Sequence, residues 1–279
     1  MSTNTYSYFI ISCKRNINIV KFCVEQLLNS TTIGKIYVSF DEKCDVNFEN
    51  SRVVVLDGNN EKSSCFGKRI QHALSCIPEE YLIILCDDFI VESKVNESSL
   101  KLLQNYMVEN RLVSSIALAS TSSKKTEECI FNYYRRCANY TYYRITLQCS
   151  IWNKTALKKL MEDVKSPWEF ELFSNYRTFA SCNEFYAIKD DKYQPIKYNR
   201  GTFVIRGKIV EPERRRLEEV LDRKIQIEGF ETTNSYVQIS NMSILDKIVR
   251  RIRMYLNDFR YRIISMYRKD NLNLKTEEK

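Results

Sequence analysis

The sequence predicts an α/β protein in which a mainly parallel sheet is flanked by helices. Short apolar runs rich in β-branched and aromatic residues alternate with helical patterns of about ten to fifteen residues. With 279 residues, the chain is long enough for one large domain and an appendage. We place the domain over residues 1–240 and a basic, amphipathic helical extension over residues 241–279.

The first half of the chain shows the alternation of strands and helices most clearly. The apolar runs predict strands within residues 5–13, 34–42, 51–59 and 81–93. Helical spacing of apolar residues predicts helices over residues 16–30 and 66–77. Parallel strands joined by helices are expected from this order, because such strands need long crossover connections.

In the second half, a helix near residues 98–110 and a strand over 114–120 precede an aromatic-rich segment, residues 132–152. Ser166, Pro167 and Glu169 then form the pattern of a capping box that starts a helix. The glycines within residues 198–212 predict a β-hairpin or two short strands. A charged, solvent-facing helix is expected over residues 211–224.

The formal net charge of +8 is unevenly distributed. Residues 241–279 carry +5, which leaves +3 for the first 240 residues. A nearly neutral body argues against nucleic acid as the partner, although the tyrosines of residues 132–144 keep a nucleic-acid binder as an alternative. Apolar residues spaced by three and four between arginines predict that residues 242–269 bind a membrane surface. Packing of this helix on the domain or in a dimer is the alternative.

Ten cysteines include no C-x-x-C pair, and His72 is the single histidine, so a structural zinc site is not expected. The sequence shows neither a signal peptide nor an apolar run long enough to span a bilayer. We therefore expect reduced thiols and a cytoplasmic protein, with peripheral attachment at the inner face of the cell membrane.

Polar side chains follow each predicted strand of the first half, where ligands of parallel sheets bind. These residues are Ser12, Lys14 and Arg15, then Asp41, Asp57, and the adjacent pair Asp87 and Asp88. Each single acid has a turn or capping role as its alternative. Two adjacent carboxylates at the end of a buried strand repel each other, and Mg²⁺ or Mn²⁺ bound together with a diphosphate is their natural partner.

Four segments in order strengthen this interpretation: "ISCKR", "LCDDF", "LQCSIWNKTAL" and "SPWEFE". Together they resemble bacterial glycosyltransferases of capsule and lipopolysaccharide biosynthesis, over residues 6–210. The resemblance implies a GT-A-like, Rossmann-like fold and a nucleotide-diphosphate sugar as donor. The acid pair here is D-D-F rather than a strict D-x-D.

The resemblance also implies roles for individual residues on the donor side. Asp88 is expected to contact the metal, and Asp87 the metal or the ribose. The other nucleotide-sugar-binding candidates are Ser12, Lys14, Arg15, Asp41, Asp57, Lys68 and Arg69. Of these, Asp41 and Asp57 are expected near the nucleoside, and Lys68 and Arg69 near phosphate.

On the acceptor side, transfer with inversion needs a base that takes the proton of the attacking hydroxyl group. "SPWEFE" offers Glu169 and Glu171, and Glu169 has the capping box as its alternative role. A retaining enzyme would not need this base. Gln148, Trp152 and Trp168 are the acceptor-binding candidates, with a surface strand position as the alternative for Gln148 and core packing for the tryptophans.

These observations predict a glycosyltransferase that moves a sugar to a surface-polysaccharide, lipid-linked acceptor. One alternative is a sugar-phosphate nucleotidyltransferase, which would need a glycine-rich phosphate loop that "SCKRNINIV" lacks. Another is a non-catalytic peripheral membrane or scaffold protein, in which the acids are turn residues.

Overall fold

The computed structural model describes residues 6–56, 65–139, 141, 143–179, 181–200 and 203–234, together with 256, 259 and 263. Nine of its strands are β1 Ser7–Ile11, β2 Ile36–Ser39, β3 Val53–Leu56, β4 Tyr81–Cys86, β5 Val113–Ala117, β6 Lys125–Ile130, β7 Tyr134–Cys137, β8 Ser150–Asn153 and β9 Glu184–Ile188. They form one sheet in the order β3-β2-β1-β4-β8-β5-β9-β7-β6.

Seven α-helices accompany the strands in the described part of the chain. They are α1 Ile17–Ser30, α2 Phe66–Cys76, α3 Glu97–Glu109, α4 Lys154–Leu160, α5 Pro167–Glu169, α6 Asn175–Arg177 and α7 Glu211–Leu221. Two 3-10 helices, Lys14–Asn16 and Asp191–Tyr193, and a π-helical turn, Phe170–Ser174, complete the helical elements.

The predicted α/β fold is confirmed, and its sheet is mixed. β3, β2, β1 and β4 are parallel neighbours, and β5 pairs in parallel with β9. β8 runs antiparallel to both β4 and β5, and β7 runs antiparallel to β9 and β6. Seven of the nine strands therefore point the same way, and only β7 and β8 oppose them.

Two apolar layers cover the sheet, one on each face. Every residue of β1 is buried, and alternate side chains enter different layers, as the period of a strand requires. Tyr8 and Ile10 pack in the layer that includes α1 and α3. Phe9 and Ile11 pack in the layer that includes α2 and α4. The parallel half of the sheet is thus buried on both faces, which explains its continuous apolar runs.

A smaller three-stranded sheet consists of β10 Val204–Ile205, β11 Lys208–Val210 and β12 Thr232–Thr233. β10 and β11 form the hairpin expected within residues 198–212. Its turn is Arg206–Gly207, where φ is +53° and +76°. A two-residue turn with both φ values positive matches the right-handed twist of the flanking strands. The charged helix expected over 211–224 corresponds to α7.

Several predictions concern residues that the structure does not describe. Asp57 is one of these residues, and most residues of the tail over 241–279 also belong to them. Of the tail only Leu256, Phe259 and Ile263 are described; they are helical and exposed. No helix among the described residues is both long and apolar enough to cross a membrane. All ten cysteines are described and free.

Candidate active site

Asp87 and Asp88, the acid pair, directly follow β4 at the carboxyl edge of the sheet. The parallel register of β1 and β4 brings the ends of these two strands side by side. Ser12 Oγ therefore reaches Asp87 Oδ2 and donates to it at 2.8 Å. Asn16 Nδ2, in the 3-10 helix after β1, donates to the same oxygen at 2.8 Å. The polar ends of the two strands thus form one cluster, as the sequence predicted.

Both carboxyl groups of the acid pair have raised pKa values. Burial raises the pKa of Asp87, and the hydrogen bonds from Asn16 and Ser12 partly offset this effect. Burial and then the charge of Asp87 raise the pKa of Asp88 to about 7, while the backbone N–H of Val204 opposes the rise. Without a cation, the fully ionised pair is therefore unfavourable at neutral pH.

The acid pair fits a divalent cation that is bound jointly with a substrate. Within the described ranges, no group of three or more His, Cys, Asp or Glu side chains is placed to hold a metal ion. Mg²⁺ typically uses one or two carboxylates and takes its other ligands from water and substrate phosphates. Asp88 and Asp87 supply that number, and a nearby positive charge would favour their ionised forms.

Arg69 lies at the same edge and joins the ends of two strands. Its Nη1 donates to the carbonyl oxygens of Ser12 at 2.7 Å and Ser39 at 3.4 Å. Burial lowers the pKa of the guanidinium group, and the charges of Asp41 and Asp87 counteract this. Arg69 thus places a cation beside the acid pair, where it can meet an anionic ligand.

Close packing at the start of α2 positions Arg69. Gly67 N donates to Val164 O at 2.6 Å. A Cβ atom at position 67 would lie 2.0 Å from the carbonyl oxygen of Met161, so only glycine permits this approach. Lys68 is exposed on the same helix, and its side chain makes no hydrogen bond or ion pair with the described residues.

The loops after β1 and β2 bring together three further predicted residues. The backbone N–H of Lys14 donates to Asp41 Oδ1 at 2.7 Å, which links the two loops. Lys14 Nζ lies 3.6 Å from Glu42 Oε2, and both side chains are mainly exposed. Arg15 is also exposed. These groups border the acid pair, whereas Asp57 is outside the described residues.

Glu171 approaches the acid pair from the second half of the chain. Its Oε1 accepts hydrogen bonds from Thr146 Oγ1 at 2.8 Å and from Leu147 N at 2.9 Å. Cys86 Sγ, at the end of β4, donates to Leu147 O at 3.8 Å. Burial and then the charges of Asp88, Asp87 and Glu171 raise the pKa of the Cys86 thiol. The three carboxylates therefore converge around the end of β4.

The antiparallel direction of β8 explains this convergence. Ser150, the first residue of β8, pairs with Ile84 near the end of β4. The residues that enter β8, including Thr146 and Leu147, consequently lie at the carboxyl edge. A parallel strand would have placed its entry at the opposite edge of the sheet.

Glu169 has a different environment from Glu171. Its carboxylate accepts a hydrogen bond from Lys165 N, and its backbone N–H donates to Ser166 Oγ at 3.1 Å. This is a capping arrangement like the one that the sequence predicted, and it fixes the first turn of α5. The π-helical turn Phe170–Ser174 then carries Glu171. Of the two candidates, Glu171 is therefore the one that lies beside the end of β4.

The three acceptor-binding candidates lie in contrasting places. Gln148 is partly buried, and its Oε1 accepts a hydrogen bond from Tyr198 Oη at 2.8 Å. Trp168 is 73% exposed, three residues before Glu171 in the chain. Trp152 is only 1% exposed. It therefore offers no face to a ligand, and its predicted role in acceptor binding is wrong.

Trp152 is instead a core residue, because β8 lies between two other strands. Its ring centroid is 6.0 Å from that of Phe170 and 6.3 Å from that of Phe185, in edge-to-face geometry. Such contacts stabilise a core. The indole holds the segment before Glu171 against the sheet.

Sequence reasoning missed four residues at this edge: Asn16, Thr146, Tyr198 and Val204. Asn16 follows the first strand in "SCKRN", so the strand-end argument could have included it. Thr146 and Tyr198 carry no local signal, because only the long-range register brings them to β4. The backbone N–H of Val204 acts regardless of its side chain, and no sequence pattern encodes this.

Comparisons with known proteins show only distant likenesses. No protein-family model matches the sequence, and no curated protein matches it. Among solved structures, TarS 1–349 of S. aureus is similar with a TM-score of 0.42 and 13% identity. The match covers 65% of this chain and 57% of that one, so this chain spans less than two thirds of TarS 1–349.

Two further solved structures are similar to a comparable degree. A UDP-glucose pyrophosphorylase complexed with UDP-glucose has a TM-score of 0.40 and 10% identity, over 70% of this chain and 92% of that one. The cytidylyltransferase IspD of Francisella tularensis has a TM-score of 0.34 and 13% identity, over 56% and 76%. At TM-scores this low, the likenesses assign no activity, and a function for this chain has to rest on its own residues.

Proposed function

We propose that this chain is a glycosyltransferase that moves a sugar from a nucleotide-diphosphate sugar to a saccharide acceptor. The observation that carries the proposal is that Asp87 and Asp88 directly follow β4, while Leu147 links Glu171 to Cys86 at the end of the same strand. The acid pair suits a cation and a diphosphate, and a separate carboxylate suits a proton acceptor. Arg69 supplies a positive charge on the donor side.

On the donor side, Asp88 and Asp87 would hold Mg²⁺ or Mn²⁺, which when bound would stabilise negative charge on the diphosphate. Ser12 and Asn16 fix the Asp87 carboxylate through one oxygen, Oδ2. Arg69 bridges the loops after β1 and β2, so its charge is held where the diphosphate would lie. The exposed Lys68 adds a second cation on the same helix.

On the acceptor side, Glu171 would accept the proton of the attacking hydroxyl group. Thr146 and Leu147 hold its Oε1, and no described residue donates to Oε2. As the proton moves to Oε2, the acceptor oxygen bonds to the anomeric carbon. The bond from that carbon to the diphosphate breaks, and its electron pair leaves with the diphosphate. The configuration of the sugar is inverted.

A lipid-linked precursor of a surface polysaccharide is the acceptor class that we favour. Leu256, Phe259 and Ile263, the described residues of the tail, are each helical and exposed. Their spacing of three and four places them on one helix face. Between basic residues, such a face suits an anionic membrane surface, which would bring the domain to its acceptor.

The proposal is tested by incubating the full chain with UDP-, GDP-, CDP- and TDP-sugars and Mn²⁺. We expect one nucleotide class to release nucleoside diphosphate, and Asp88→Asn to lower that rate by about 10²- to 10³-fold. Asp222→Asn is the matched control, because Asp222 is exposed and has a φ of +48°, which asparagine tolerates.

Two results would contradict the proposal. One is a folded protein that neither binds nor hydrolyses any of these donors. The other is pyrophosphate release from a nucleoside triphosphate and a sugar phosphate, which would favour the nucleotidyltransferase. Vesicle binding that survives loss of both carboxylates, without donor affinity, would favour the non-catalytic membrane protein.

A further inference from the structure

A cavity lies away from the acid pair, between α3 and the far half of the sheet. Its volume is about 410 Å³, which falls within the range of small-ligand sites. The lining residues that matter are Asn96, Ser99, Leu102, Tyr133, Tyr193 and Gln194. Two of the tyrosines near it, Tyr133 and Tyr134, belong to the aromatic-rich segment that the proposed catalytic groups leave without a role.

One end of the cavity, at Tyr133 and Tyr134, lies at the same edge of the sheet as the acid pair. Tyr134 pairs with Ile188, the last residue of β9, and β9 runs parallel to β5. The turn before Tyr134 therefore lies at the carboxyl edge. β7 is four strand positions away from β4 in the sheet. At the usual strand spacing, this separation is roughly 19 Å. A ligand several sugar units long can span that distance.

An aromatic pair forms one wall of the cavity. The rings of Tyr133 and Tyr193 lie 4.2 Å apart and are inclined by 32°. Large aromatic side chains gain stability when they are buried. The Tyr133 and Tyr193 side chains nevertheless remain 41% and 43% exposed. Exposed aromatic rings beside polar side chains suit a ligand with apolar faces and polar edges.

The charge of the lining distinguishes between ligand classes. Among the described lining residues, Lys192 is the single charged one. Its Nζ lies 3.2 Å from Asp190 Oδ2 and 4.8 Å from the centre of the Tyr193 ring. This cation is therefore already neutralised, and the cavity offers no excess positive charge to phosphates. Nucleic acid and free nucleotides need such charge, whereas a neutral sugar does not.

Polar groups of the lining are held in place by the fold. The Asn96 side chain accepts from Ser99 N at 3.0 Å, where it caps α3. Gln194 Nε2 donates to Asp191 Oδ1 at 2.8 Å. These contacts use one oxygen and one nitrogen, so each amide keeps its other atom for a ligand hydroxyl group. Fixed amides next to an aromatic wall give orientation as well as contact.

We propose that this cavity binds a saccharide segment of the acceptor, several sugar units from the hydroxyl group that attacks the donor. This inference rests on the proposed function, because it assigns the cavity to the acceptor of the same enzyme. It predicts that the protein prefers acceptor chains long enough to reach from Glu171 to Tyr193.

The test is binding of the full chain to an array of bacterial oligosaccharides of graded length. We expect retention of a set of longer glycans, and a loss of at least about tenfold in affinity for Tyr193→Ala and for Leu102→Arg. The arginine variant fills the cavity from a side chain that is 48% exposed, so folding is preserved. The controls are Tyr143→Ala and Leu112→Arg, at positions 39% and 46% exposed outside the lining.

Hydrolysis of the nucleotide sugar by water separates this inference from the proposed function. Hydrolysis needs no bound saccharide, so the two cavity variants are expected to keep the wild-type rate. If no donor is hydrolysed, the proposed function fails while glycan retention still tests the cavity. The inference is overturned if no glycan is retained, if cavity and control variants bind equally, or if single-stranded RNA is retained instead.

Discussion

The two halves of the main sheet reach the candidate site in different ways. In the half formed by β3, β2, β1 and β4, parallel strands end side by side, and residues that follow β1, β2 and β4 lie at the site. In the half that contains β8, an antiparallel strand brings its entry to the same edge. The proposed donor side is thus built from the ends of strands, and the proposed acceptor side from the beginning of a strand.

This difference determines what a single sequence can show. A polar residue after an apolar run is a local pattern, so Asp87, Asp88 and Ser12 were predicted together. Thr146 and Leu147 hold Glu171 only because β8 lies between β4 and β5. That order depends on pairing between segments far apart in the chain, which local patterns do not encode.

The largest expected effect contrasts the two glutamates of "SPWEFE". Replacing Glu171 by glutamine is expected to lower nucleoside diphosphate release by about 10²- to 10⁴-fold, because glutamine cannot accept the proton. Donor affinity, measured by calorimetry, is expected to stay unchanged, because Glu171 acts on the acceptor.

Glu169→Gln is the matched control for this loss. Glutamine can still accept a hydrogen bond from Lys165 N, so the first turn of α5 is preserved. We expect a rate within a few-fold of wild type. Equal losses for the two variants would remove the distinction between a capping and a catalytic glutamate.

The next contrast concerns the two tryptophans. Trp152→Ala is expected to lower the free energy of unfolding by about 3–5 kcal/mol, because it leaves a cavity beside Phe170 and Phe185. Trp168→Ala, at a position 73% exposed, is expected to change it by less than about 0.5 kcal/mol. Urea denaturation of both variants measures the difference. Comparable stability losses would show that Trp168 also packs in the fold.

The two tryptophans also show why a candidate site residue can be misassigned from sequence. Both belong to segments that resemble glycosyltransferase motifs, and both are aromatic groups suited to a sugar. Trp152 lies in β8, whose neighbours β4 and β5 bury it. Trp168 follows the capping residue Ser166 at the start of a short helix. Burial follows from the sheet order, and the sequence alone left core packing and sugar binding open.

The last expected effect concerns the pH dependence of stability that Asp88 causes. Its pKa rises from an ordinary 3.8 to about 7 in the folded protein. The unfolded chain loses this proton near pH 4 and the folded protein near pH 7, so the native state binds more protons in between. Stability therefore falls as the pH rises through this window. The full cost, roughly 4 kcal/mol, is present above pH 7.

Asp88→Asn removes the charge and is expected to be more stable than wild type at pH 8 in the presence of a chelator, with little difference near pH 4. Urea denaturation at both pH values measures this change. Mn²⁺ at pH 8 is expected to restore stability to the wild type but not to the variant, because the ionised pair binds the cation. If the free energy of unfolding depended on pH in the same way for both proteins, ionisation of Asp88 would not destabilise the folded state. The acid pair would then need no cation, and Asp87 and Asp88 would be ordinary turn residues.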